Sequence, residues 1–149
     1  MTPPRPWKTP HDAPVRLRAP LVTLFLLALS LLYDHMGVMR WGLLCAALHE
    51  AGHLIAWAIL VRQCPRLEIS PTGICLCMRG VALPPARERL LAAAGPLTNF
   101  LLCAAGVAFM EWQGYSYSGY WFVSANLLLG TFNLLPLPGL DGARIFSFV

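Results

Sequence analysis

Charge is what this sequence has least of. Only 12% of its 149 residues are Asp, Glu, Lys or Arg, about half the share found in an ordinary soluble domain. Set against 57% apolar residues, that shortage excludes a typical water-soluble fold and points to an integral membrane protein. Acidic residues are the scarcer kind, seven against eleven Lys and Arg, for a net charge of +4. The excess does not describe a nucleic-acid binder, because the basic residues lie in two groups beside apolar segments, the pattern that orients a chain in a membrane. The expected surroundings are therefore a lipid bilayer, with no nucleic-acid partner. Histidine is rare as well: there are four, and none follows His53. The five cysteines are an odd number in a chain too apolar for a disulfide scaffold. Cys45 and Cys103 fall in apolar runs, where cysteine behaves as a small apolar residue. Cys75 and Cys77 are one residue apart, closer than the usual zinc pair.

Long apolar runs are what the sequence does have. Residues 1–20 hold six prolines and the basic residues Arg5, Lys8, Arg16 and Arg18, a composition for an irregular, solvated tail. Residues 21–149 form the membrane core, with apolar runs at 21–33, 41–61, 90–110 and about 119–135. The last three approach the roughly 20 residues a helix needs to cross hydrocarbon. The first has 13, the length of a signal-peptide core, yet Asp34, His35 and Met36 follow it where small residues would mark a cleavage site. Arg62, Arg66, Arg79, Arg87 and Arg89 form the second basic group. The positive-inside rule puts both groups in the cytosol, so an even number of crossings must separate them, and the first run crosses with the second. The expected fold is an all-α, multi-pass membrane protein with about four transmembrane helices and a cytosolic N-terminus.

Between the second and third runs, residues 66–83 read as a short β-hairpin. Two β-rich stretches flank Ser70-Pro71-Thr72-Gly73, which suits a type I turn. Such a hairpin is either a connector or an edge strand that takes an extended substrate segment by β-augmentation.

The chemistry lies in His49-Glu50-Ala51-Gly52-His53, placed inside the second run. Ionisable side chains at that depth are expensive and mark a functional site by default. On a helix, His49 and His53 share a face and can both bind Zn²⁺. At about 100° per residue, Glu50 falls within the same narrow arc. A zinc site with two histidines needs another protein ligand. No third histidine follows, while Glu68 sits in the hairpin, Glu88 in a charge cluster and Glu111 at the opposite membrane face. Asp141 remains. On its own it reads equally as a cap just outside the bilayer. Beside two intramembrane histidines it supplies the missing carboxylate. Pro136, Pro138 and Gly139 break the backbone before it, which is tolerated at membrane depth only inside protein or beside a wet cavity. For Asp141 to reach His53, the fourth helix must enter deep and break near Pro136, or begin later than Gly119.

His49-Glu50-x-x-His53, then Gly95-Pro96-Leu97-Thr98-Asn99, then Asn133-x-x-Pro136-x-Pro138-x-x-Asp141-Gly142 together resemble the site-2 protease family of intramembrane metalloproteases. In layout the chain is similar to the small sporulation-type branch that lacks a PDZ domain. The resemblance implies one Zn²⁺ held by His49, His53 and Asp141, with Glu50 as general base, in a bacterial cell membrane. It implies regulated intramembrane proteolysis: cleavage of a transmembrane or juxtamembrane segment of a membrane-protein substrate, with a regulatory membrane partner or oligomer left open. It also makes Asn133 and Asn99 candidates for orienting substrate or the oxyanion. Interhelical hydrogen bonding is the other reading of Asn99. Gly139 and Ala143 stand where relatives often carry Pro and Gly. The chain stops eight residues past Asp141, so it reads as a minimal core or as a truncated one, and no CBS domain is present. The alternative function is a catalytically inactive membrane module that binds metal or substrate. A metal transporter is disfavoured because the sequence shows no repeated halves.

Overall fold

A computed structural model describes residues 15–17, 20–61, 66–70, 73–77 and 83–146. Its elements run β1 (Val15–Leu17), α1 (Pro20–Leu32), α2 (Val38–Leu60), β2 (Arg66–Ser70), β3 (Gly73–Cys77), α3 (Pro85–Gln113), α4 (Tyr117–Asn133) and α5 (Asp141–Ile145). The expectation of an all-α protein with about four transmembrane helices is corrected. Among the described residues there are five helices, and two of them, α2 and α3, are long and apolar enough to cross a membrane. The 13-residue α1 spans only about 20 Å at 1.5 Å per residue, short of the roughly 30 Å hydrocarbon core. The 17-residue α4 ends before the prolines. The even-crossing argument needed α1 to cross, so it loses its premise.

The strands form one three-stranded sheet in the order β1-β2-β3. β2 and β3 are antiparallel, with Arg66 opposite Cys77 and Ser70 opposite Gly73. β1 joins β2 in parallel, Val15 facing Leu67. The segment from 66 to 77 is therefore not a free two-stranded hairpin but part of a sheet that recruits Val15–Leu17, within the stretch expected to be an irregular tail. Pro71 and Thr72, the middle of the expected turn, lie outside the described residues, as do residues 1–14.

The helical packing is built around polar groups. Buried on α2 are Cys45, His49, Gly52, His53 and Trp57, spaced so that they share one face. Its other faces carry exposed Leu43, Leu44, Ile55 and Ile59. On α3 the buried set is Leu91, Ala92, Gly95, Pro96, Asn99 and Met110, while Leu97, Leu101, Val107 and Phe109 face outward. Polar within and apolar without is the distribution expected of helices surrounded by lipid. Small residues let the backbones approach. A Cβ on Gly52 would collide with Thr98 and the Ala94 carbonyl, and one on Gly106 with Val123. Trp41 and Phe122 meet edge to face at 5.7 Å across α2 and α4.

The corner between α1 and α2 is held by Asp34. Its buried carboxylate accepts from the backbone N–H of Met39 and of Arg40, each at 3.0 Å, and lies 3.5 Å from the Arg40 Nε. Two otherwise orphaned donors of the first helical turn are satisfied in this way. Burial works against the charge, but these N–H groups and the Arg40 guanidinium outweigh it and hold the carboxyl below its ordinary value of 3.8. A carboxyl with a lowered pKa stabilises the fold above its unfolded value and stops doing so as pH falls through the folded one. Asp34→Ala should therefore lower the melting temperature at neutral pH, and the gap to the parent protein should close as pH is taken below 3.8. Thermal unfolding in detergent at several pH values checks this.

Candidate metal centre

His49 is the middle residue of the 23-residue α2, with 11 residues on either side. One turn further on, His53 shares its buried face. Asp141 arrives from a different part of the chain. α4 ends at Asn133, and Leu134 to Leu140 turn the chain back through Gly139, whose φ of 95° suits glycine. The five-residue α5 then packs against α3 with Asp141 as its first residue. Gly142 is pressed onto the Leu134 and Leu135 carbonyls so closely that a Cβ could not be accommodated. The fourth helix thus breaks ahead of Pro136, as a meeting of Asp141 with His53 required.

Three ligand-type atoms converge. Asp141 Oδ2 lies 3.1 Å from His49 Nε2 and 3.1 Å from His53 Nε2, and the two Nε2 atoms are 3.2 Å apart. The hydrogen bonds behind the rings decide which nitrogens are bare. His53 Nδ1 is 2.9 Å from the Leu91 carbonyl, an oxygen that can only accept, so Nδ1 carries the hydrogen. His49 Nδ1 is 2.5 Å from Asn99 Oδ1 and donates in the same sense. In their neutral form both imidazoles therefore present an Nε2 lone pair to one point, where a carboxylate oxygen presents another. Three acceptors cannot satisfy one another. A proton or a cation must lie among them.

The donor set fits zinc. Two imidazole nitrogens and one carboxylate oxygen form a known catalytic ligand set, and ligand atoms 2.0–2.1 Å from a tetrahedral ion are about 3.4 Å apart, close to the separations seen here. All three atoms lie within 4.8 Å of one another. The bonds from Nδ1 to a carbonyl and to an amide are the outer-shell contacts that orient metal-binding histidines.

Of the other residues singled out in the sequence, Glu50 is half-buried on the same turn, with its carboxyl in electrostatic reach of His53, His49 and Asp141. Asn99 is fully buried behind His49 and donates from Nδ2 to Asn126 Oδ1 at 2.8 Å. That is an orienting and interhelical contact. Asn133 donates back to the Leu129 carbonyl of its own helix at 3.0 Å. The discarded acids lie apart: Glu88 is exposed at the start of α3, and Glu111 accepts from the Tyr115 hydroxyl at its far end. Sequence reasoning missed Asn126, fully buried on α4. The signal was present, because an amide amid apolar residues raises the same question that His49 does.

No protein-family model and no curated protein matches this sequence. Among solved structures it is similar to the Site-2 Protease from Methanocaldococcus jannaschii, with a TM-score of 0.65 and 25% sequence identity. The alignment covers 88% of this chain and 64% of that one, so the chain spans less than two thirds of the length of its structural relative. This likeness, with three of the motif residues meeting at one point, supports the site-2 protease family as the chain's relatives.

Proposed function

We propose that the chain is an intramembrane zinc endopeptidase that cleaves a transmembrane or juxtamembrane segment of a membrane-protein substrate. The observation that carries this reading is the convergence of His49 Nε2, His53 Nε2 and Asp141 Oδ2 with the half-buried carboxyl of Glu50 on the same helical turn. Similarity to a protein named as a site-2 protease supports it.

His49, His53 and Asp141 would hold the ion. Zinc bound there would supply Lewis acidity toward a peptide carbonyl and make an attacking water more acidic. The chain's own residues do the rest. Glu50 takes the proton from the attacking water and passes it to the leaving amine nitrogen. Its half-buried position keeps it near the ligands without tying it to them. Gly95 clears the space they occupy, since a Cβ there would run into the Nε2 atoms of both histidines. Asp141 keeps 13% of its side-chain surface exposed, so the centre is not sealed from water. An inactive binding module would need the two histidines and the aspartate but has no use for a carboxylate at position 50.

Three substitutions separate these roles. Glu50→Gln should keep stoichiometric zinc in the purified protein and reduce cleavage of a co-expressed substrate by about 10²–10⁴-fold; undiminished cleavage would reject the general-base role. Asp141→Ala should lose the metal, measured as zinc content after purification, and full retention would place the third ligand elsewhere. Gly95→Ala should lose it as well while helix content by circular dichroism is unchanged, because the added methyl meets the ligating nitrogens before anything else.

A further inference from the structure

A chain of amides runs from α4 to the candidate ligands. Asn126 and Asn99 both have no exposed surface, and buried amides in apolar surroundings must be hydrogen-bonded. Asn126 Nδ2 donates to the Phe122 carbonyl at 2.9 Å and to Cys45 Sγ at 3.2 Å. The carbonyl can only accept, so the orientation of this amide is settled. Its Oδ1 must then face Asn99 Nδ2, at 2.8 Å. That in turn leaves Asn99 Oδ1 facing His49 Nδ1. Reversing Asn126 would set acceptor against acceptor at Phe122 and donor against donor at Asn99, and reversing Asn99 alone would set two acceptors face to face at Asn126. The polarity of the whole row follows from one backbone carbonyl on α4.

We propose that Asn126 is a positioning residue for the candidate metal centre: acting through Asn99, it locks His49 as the tautomer with hydrogen on Nδ1 and keeps Nε2 bare toward His53 and Asp141. This rests on reading His49 as a ligand. The hydrogen on His49 is thus assigned from a third helix, and His53 receives its own independently from the Leu91 carbonyl of α3. A difference in sensitivity follows: changes on α4 reach His49 and leave His53 alone. A role in packing alone would behave otherwise: leucine keeps the branched skeleton of asparagine in a larger volume, so a disturbance of packing would not single out the tautomer of His49.

The test uses Asn126→Leu and Asn126→Asp in the full chain. Histidine ¹⁵N NMR on the metal-free protein reads the tautomers, and titration with zinc alone reads affinity. Asn126→Leu should leave His49 a mixture of tautomers and weaken zinc binding about 10–100-fold. Asn126→Asp, protonated in this apolar site so that one oxygen donates to the Phe122 carbonyl, still accepts from Asn99 Nδ2 through the other and should keep the parent's tautomer and most of its affinity. His53 should hold its hydrogen on Nδ1 in every variant. The proposal is overturned if the leucine variant matches the parent in tautomer and affinity, if the aspartate variant is the more damaged of the two, or if His53 loses its hydrogen from Nδ1 along with His49. Should the parent bind no zinc while His49 alone responds as described, the relay stands and the metalloprotease reading falls.

Discussion

Two imidazole nitrogens and a carboxylate oxygen are held 3.1–3.2 Å from one another, a spacing that calls for a proton or a cation among them. Lone pairs so arranged repel, and the fold has to impose the arrangement. It does so from behind. The Leu91 carbonyl and the Asn99 amide each take the Nδ1 hydrogen of one ring, so neither ring can turn without stranding a buried polar group. Gly95 lets α3 come close enough for those contacts to form, and Gly142 seats α5 on the end of α4 so that Asp141 reaches the same point. Much of the helical packing can be read as a means of keeping three acceptors together.

This inverts the economy of a soluble core. The most buried side chains include His49, His53, Asn99 and Asn126, and large apolar residues cover the outside of α1, α2 and α3. In lipid the apolar surface contributes little to holding helices together, and close backbone approach with buried hydrogen bonds takes its place. Gly52 against Thr98 and Gly106 against Val123 are such approaches. Among the described residues, a cluster of ordinary apolar character, Trp57 and Leu91 with Leu54, Leu60 and Leu83 around them, lies one turn beyond His53.

How much of this was legible depended on the range of the interaction. The pairing of His49 with His53 is set by helical periodicity, and the break ahead of Asp141 by proline, both local. The candidate third ligand could be reached by elimination because so few other acids and histidines exist. Helix ends were harder. Apolar runs at 21–33 and 119–135 read as spans, but Asp34 and the turn at Leu134 close the helices before they reach spanning length. β1 was invisible, since a three-residue strand gains its identity only from pairing with β2, 52 positions away at Val15 and Leu67. Asn133 bonds within its own helix, whereas the contacts of Asn99 with His49 and Asn126 depend on how α2, α3 and α4 are rotated about their axes. Asn126 joins the site through that same rotational phase, which periodicity within one helix does not contain.

The ligand set is also divided in time. His49 and His53 are four residues apart, whereas Asp141 lies 88 residues beyond His53. At a synthesis rate of about 5–20 residues per second, the two histidines precede their carboxylate by roughly 4–18 s. Over that interval α2 carries only a pair of imidazoles, too few ligands for a closed centre. The turn from Leu134 to Leu140 therefore acts as a clock as well as a hinge: the centre is assembled only after both long helices and α4 have been made.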